Sequence, residues 1–337
     1  MRVTRTGCRR RISNALHRMP WFTFRFDNFA FSFLSVLLEG VPFLLLGSLI
    51  SGLVDVFVSP ARMQRLLPSN SAAAIGISGL LGLIFPMCEC GSVIVIRRFL
   101  RKGLPLSSAV AYMLAAPIVS PLVAISTFAA FKGQNPWVMT SLRLSLGYLI
   151  AIGVAFIVHR LPAASILRSE NAASASRKRA GLSVSAEPAE GQDFSTLAAA
   201  ASVPKKLLLT VQSATADFLD VAFFFIIGTV VASVFNTAVN QEIILPLASE
   251  PLLAIVSFMG LAAILALCST TDAFIAASFT AFPFAAKLGF LLFGPVFDLK
   301  LFWLYGLLFK RRFIIALGLG LFLIIGLICW RLAAIPF

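Results

Sequence analysis

Phe85-Pro86-Met87-Cys88-Glu89-Cys90-Gly91-Ser92 interrupts an apolar run that extends from Ala72 to Ile96 and is long enough to cross a bilayer. The interruption sets two thiols and a carboxylate at the depth of the bilayer midplane. Hydrocarbon accepts broken backbone only where protein or a water-filled cavity satisfies the freed N–H and C=O groups. Ionisable side chains at that depth are costly, so they face a bundle interior or a substrate path. The stretch therefore reads as one half of a transport site, with Pro86 and Gly91 as its helix breakers and Cys88, Glu89 and Cys90 as its working groups.

The rest of the chain supports a membrane setting. Its 337 residues are 59% hydrophobic and 12% charged, with 32 phenylalanines and a mean hydropathy of +0.94. Soluble domains lie near about 45–50% apolar and about 25% charged. The expected fold is an all-α polytopic membrane protein with about eight transmembrane helices. A formal net charge of +14 raises the question of nucleic acid. The basic residues, however, fall in short clusters that flank apolar runs: Arg9-Arg10-Arg11, Arg97-Arg98, Arg101-Lys102, Arg177-Lys178-Arg179, Lys205-Lys206 and Lys310-Arg311-Arg312. That is the pattern of positive-inside topology signals. It lacks the interleaved aromatics of a single-strand binder, and no nucleic-acid partner is expected.

Residues 1–27 form a basic tail without the small-residue cleavage site of a secretory signal. A first membrane unit covers 28–159, an Ala/Ser/Arg/Glu-rich linker covers 160–206, and a second membrane unit covers 207–337. The tail and the linker are both expected in the cytoplasm, against the inner membrane and its lipid. The two units resemble each other. Glu39 pairs with Asp220 at an offset of 181, Cys88 with Cys268 at 180 and Pro117 with Pro295 at 178, which brings Ser120 onto Asp298. A near-constant offset through acid, cysteine and proline landmarks argues for an internal duplication, a common transporter architecture. Four spans per unit would make the halves parallel, and would leave Lys310-Arg311-Arg312 on the external face.

The run Pro86–Gly91, followed by Arg98-Phe99-Leu100-Arg101-Lys102-Gly103, resembles the bacterial predicted-permease family that includes the organoarsenical efflux permease ArsP. So do Leu114-Ala115-Ala116-Pro117-Ile118-Val119-Ser120-Pro121 and Cys268-Ser269-Thr270-Thr271-Asp272-Ala273-Phe274. Lys287, with Phe290 through Lys300, is similar to the same family. The resemblance implies a multi-span permease of the inner membrane. Here Glu89 stands between the thiols, where such proteins often carry serine.

The residues themselves leave two readings of the thiols open. Cys88, Cys90 and Cys268 suit a soft, thiophilic cargo or metal if the two broken helices meet. Buried cysteine is also simply a small apolar residue that packs well. His17 and His159 lie outside the spans, so a closed Cys/His zinc site is not expected. Glu89, Asp272 and Asp298 are candidate proton carriers, with Lys287 and Lys300 as alternative structural partners for Asp272 and Asp298. Thr270 and Ser120 stand beside the breaks. Pro117, Pro121, Gly294 and Pro295 mark further breaks, where half-helix ends can hold ions. Glu39 and Asp220 read as interfacial. No Walker-type phosphate loop is present and no cofactor is expected. The functional expectation is a secondary permease for a small solute, exporting a thiol-reactive metalloid or soft metal species. A membrane subunit of a larger complex, alone or as a homo-oligomer, is the alternative. An intramembrane cysteine enzyme ranks below both, because no histidine base lies in a span.

Overall fold

The computed structural model describes residues 26–57, 68, 70–84, 87–168, 203–238 and 250–334. Pro86, nearly all of the basic tail and most of the linker lie outside these residues.

The described residues are helical, with one isolated antiparallel bridge between Leu167 and Phe309. The first half contains α1 (Phe26–Phe57), α2 (Ser71–Ile84), α3 (Glu89–Arg101), α4 (Leu106–Val119), α5 (Pro121–Ala130), α6 (Pro136–Arg160) and the single turn α7 (Ala163–Ile166). The second contains α8 (Val203–Ala238), α9 (Pro251–Leu265), α10 (Asp272–Ser278), α11 (Phe284–Phe293), α12 (Leu299–Tyr305) and α13 (Arg311–Ala333). Among the described residues five stretches are long and apolar enough to cross a membrane: Phe26–Val54, Leu106–Ala130, Pro136–Arg160, Lys205–Val234 and Arg311–Ala333. The protein is an all-α polytopic membrane protein.

Contacts between helices fix their directions, and these differ from the parallel arrangement expected above. Gly40 of α1 faces Phe225 of α8, Ser51 bonds Asp217, and Gly52 faces Thr210 and Ala214. Rising numbers on α1 meet falling numbers on α8, so the two long helices run antiparallel. In the first half, Ile75 clusters with Ala111 and Gly82 packs on Ala116, which makes α2 parallel to α4. The Phe99 and Tyr112 rings lie 6.2 Å apart across the α3–α4 turn, which makes α3 antiparallel to α4. Helices α2 and α3 therefore enter the bundle and return to the same face as a re-entrant hairpin, where one broken span was expected. In the second half, Met259 packs at Gly289, Ala262 at Gly294, and Phe279 returns to the level of Phe258. Helices α9 and α10 form the matching hairpin.

Each half then has an odd number of crossings: one long helix, one span broken in its middle (α4–α5 or α11–α12) and one closing helix. Gly289, Phe293 and Phe297 meet Cys329, Phe322 and Gly318 in turn, so α11 and α12 cross together, antiparallel to α13. An odd count puts the start of α1 and the start of α8 on opposite faces. The linker ends (Arg160 and Val203) thus lie across the membrane from Phe26, against the expectation that tail and linker share one side. Lys310-Arg311-Arg312 falls on the linker face, because the Leu167–Phe309 bridge and the Lys310 N–H bond to Ile166 O tie the two segments together.

Local chemistry explains the breaks. Helix α3 closes on Gly103 at φ 92°, with Leu104 N–H donating to Phe99 O and Gly103 N–H to Leu100 O, a C-terminal motif that needs the left-handed region. Pro117 is tolerated inside the last turn of α4. The actual break comes at extended Ser120, with Pro121 opening α5 at a position where its missing donor costs nothing. Gly294 and Pro295 lie in the turn between α11 and α12, and the Asp298 carboxylate caps α12 by accepting Leu301 N–H at 2.6 Å.

Helices α1 and α8 seat the central segments through glycine. A β-carbon on Gly47 would sit 2.8 Å from the Gly91 Cα, and one on Gly228 would sit 3.0 Å from the Lys300 Cα. Gly47→Leu should therefore lift α1 off α3 and destabilise the detergent-solubilised protein by about 1–3 kcal/mol. Gly153→Ala, with nothing within 4 Å of the added carbon, should leave thermal melting unchanged or slightly raised. Equal melting of Gly47→Leu and wild type would show that this seating does not matter.

Candidate functional site

The tips of the two hairpins meet inside the bundle. Cys88, Glu89 and Cys90 from the first tip, Cys268 from the second, Lys300 from α12, and Val36, Glu39, Gly40 and Phe43 from α1 line one small enclosed space. Only about 10 Å³ is open to a water centre, room for a single water molecule.

Sequence places each group. Cys88 is extended and caps α3 by accepting Gly91 N–H at 3.5 Å, which leaves Glu89 in the first turn. A carboxylate there is favoured by the helix dipole. The second tip turns at Ala266, a non-glycine residue at φ 49°, whose carbonyl is thereby freed from helical bonding. Lys300, 3% exposed, joins the parts: its Nζ lies 3.1 Å from Glu89 Oε1, 3.2 Å from Ala266 O and 3.7 Å from Asp298 Oδ2. The cation of Glu89 is thus Lys300, 211 residues further along the chain.

Charge in this chamber does not balance. Glu89 and Asp298 flank one lysine, and Glu39 lines the same chamber. Glu39 accepts the Thr271 hydroxyl, while Glu89 Oε2 and Asp298 Oδ2 are buried without a hydrogen-bond partner. Unpaired buried carboxylate oxygens are expensive, and here two of them lie beside the same ammonium.

A second polar cluster lies behind the α10 tip. Arg143, fully buried in α6, donates to both Asp272 oxygens at 2.9 and 2.8 Å, to Thr127 Oγ1 at 2.7 Å and to Ser269 O at 2.9 Å. Asp272 is thus held by Arg143, not by Lys287 as expected; Lys287 donates to Gln134 Oε1 at 2.6 Å. The two tip acids follow one rule. Glu89 of the first half takes its cation from α12 in the second half, and Asp272 of the second half takes its cation from α6 in the first.

A third cluster closes the linker face. Arg97 and Asp220 pair at 2.7 Å, and Arg98 and Asp217 pair at 2.7 Å, with Ser51 also donating to Asp217 and Arg98 to Ser213. It joins α3 to α8 and α1.

Of the residues singled out from sequence, Cys88, Glu89, Cys90, Cys268 and Lys300 line the chamber, with Asp298 against Lys300. Thr270 lies beside it, its hydroxyl 3.6 Å from Cys268 Sγ. Asp272 and Lys287 belong to neighbouring polar contacts, and Ser120 is buried at the α4–α5 break, away from the chamber lining. All three thiols are free. Among the described residues no three His, Cys, Asp or Glu side chains gather closely enough to hold a metal ion, so the tentative three-cysteine metal site is not formed. Glu39, read as interfacial, lines the chamber. Arg143 was missed, although a lone arginine in the middle of the 136–158 span is itself a signal.

Membrane-spanning helices, two re-entrant hairpins and a small chamber between their tips define a polytopic membrane protein of the permease class. The chain belongs to the ArsP_1 family, described as predicted permeases, which matches residues 25–331. It is 33% identical over 288 residues to the UPF0718 protein YcgR of Bacillus subtilis, covering 85% of this chain and 90% of that one. It is 34% identical over 284 residues to a putative two-component membrane permease complex subunit of Streptococcus mutans, covering 84% and 87%. No solved structure matches.

Removing Arg143 strands the Asp272 carboxylate in a dry interior. Arg143→Leu should cost about 3 kcal/mol or more in chemical denaturation in mixed micelles, and the double variant Arg143→Leu/Asp272→Leu should recover most of it. A single variant as stable as the double would mean that the pair carries no coupling.

Proposed function

We propose that this protein is a secondary permease of the inner membrane that exports a small, thiol-reactive solute, such as a trivalent metalloid species, through the chamber between the two hairpin tips. The observation that carries this reading is the convergence of Cys88, Cys90 and Cys268 on one small cavity beside Glu89 and Asp298, each of which has one buried oxygen that accepts no hydrogen bond among the described residues. Soft sulfur donors favour a soft cargo over a hard cation. The unpartnered oxygens of Glu89 and Asp298 give a proton two places to bind. A proton on either one lowers the chamber's excess negative charge, and this supports proton-coupled exchange. The small volume of the chamber fits alternating access, with the Arg97–Asp220 and Arg98–Asp217 pairs as contacts that fasten the linker face.

The two halves are read as an inverted duplication. The element order long, short, short, short, short, long recurs, and the long helices run antiparallel. Charge supports placing the linker face in the cytoplasm, since Arg97, Arg98, Arg101, Lys102, Arg160, Lys205, Lys206 and Lys310–Arg312 all lie toward it. A second reading, that the chain works with an accessory subunit, is supported by the description of the Streptococcus relative as a subunit of a two-component membrane permease complex.

Two experiments test these readings. In everted vesicles a permeant maleimide should label Cys88, Cys90 and Cys268, phenylarsine oxide should slow the labelling, and replacing all three by serine should cut arsenical flux about tenfold or more. Unchanged flux in that variant would end the thiol-cargo reading. For orientation, a membrane-impermeant maleimide added to intact cells should label Glu250→Cys and spare Lys310→Cys; the reverse pattern would invert the topology.

A further inference from the structure

Away from the chamber, at the linker face, α8, α12, the first turn of α13 and the segment after α7 enclose a cavity of about 420 Å³. Arg168, Lys310 and Arg311 line its polar rim, and Phe224, Phe302 and Trp303 line its apolar wall. Among the described residues no carboxylate lines it. We propose that this cavity binds the phosphate headgroup of an anionic phospholipid, with the acyl chains leaving along Phe224 and Phe302.

Charge and position support that occupant. All three cations are exposed, yet two are held in place by the backbone. Lys310 Nζ donates to Ala164 O at 2.5 Å, and Arg168 donates to Gly306 O at 3.4 Å. An ammonium has three donors and a guanidinium five, so each retains capacity for phosphate oxygens. The first turn of α13, a helix of 23 residues, adds the favourable end of its dipole. Tryptophan beside a basic cluster at the end of a span is the arrangement found at headgroup depth. Basic pockets between transmembrane helices on the cytoplasmic side recognise anionic headgroups. The apolar wall separates a lipid from a free phosphate ion, which would gain nothing from three aromatic rings.

The site shares α12 with the central chamber. Phe302 and Trp303 follow Lys300 by two and three residues on the same seven-residue helix, which is capped by Asp298. A lipid seated here bears directly on the segment that carries the chamber's lysine.

The test uses the full-length protein in detergent, with lipid binding read by native mass spectrometry. Wild type should hold phosphatidylglycerol at least about fivefold more tightly than phosphatidylcholine. Replacing Arg168, Lys310 and Arg311 together by Gln should remove that preference, lowering phosphatidylglycerol affinity about tenfold, while Arg312→Gln, outside the cavity lining, should keep it. Excess inorganic phosphate should not displace the lipid. Three results overturn the proposal: equal binding of the two lipids by wild type, a preference that survives in the triple variant, or displacement by inorganic phosphate alone. Equal binding by wild type that becomes selective once residues 169–202 are removed would assign the cavity to the linker. If the triple variant fails to fold, the wild-type comparison and the phosphate competition still decide.

Discussion

The ammonium of Lys300 is the contact on which the centre of this protein depends. It reaches Glu89 from the first hairpin, the Ala266 carbonyl from the second, and Asp298 at the head of its own helix. Both hairpin tips break helical backbone inside the bundle, where hydrocarbon offers no partners. One cation in their midst satisfies a carboxylate and a carbonyl together, and so sets the separation of the tips. Gly228 allows this by letting the backbone of α8 approach Lys300, as Gly47 lets α1 approach Gly91. A larger residue at either glycine would move a chamber wall.

The same economy explains why the chamber lies under tension. One lysine serves two carboxylates, and a third, Glu39, takes the Thr271 hydroxyl. Replacing the buried ionic groups with apolar ones would be the stabilising choice in many proteins. Their presence at the meeting point of two broken elements is the usual mark of a path for solute or protons.

Much of this was legible in the chain. The all-α membrane class follows from composition. The breaks at Cys88, Ser120 and Gly294-Pro295 follow from cysteine, proline and glycine placement in apolar runs, and Cys88, Glu89, Cys90, Cys268 and Lys300 could be chosen by depth alone. Direction was not legible. A hairpin that enters and returns has the same hydropathy as a broken helix that crosses, and only the packing of Ile75 near Ala111 and of Phe99 on Tyr112 separates them. That single ambiguity turned antiparallel halves into parallel ones and left Lys310–Arg312 without a sensible side. Partner choice was equally hidden. Sequence proximity offered Lys287 for Asp272 and named no partner for Glu89, whereas the partners of both lie more than a hundred residues away, in the opposite half.

Those crossed ion pairs have a consequence for how the protein is made. Glu89 and Arg143 both emerge from the ribosome in the first half, well before Lys300 and Asp272 exist. Until the second half is inserted, an acid and an arginine must wait at membrane depth without their partners, a state that bilayer and translocon tolerate only at some cost. The first half is therefore a poor candidate for an autonomous folding unit, and the chamber is assembled late, once α12 has been threaded. A chain interrupted in the linker would leave two fragments, each carrying the other's missing charge.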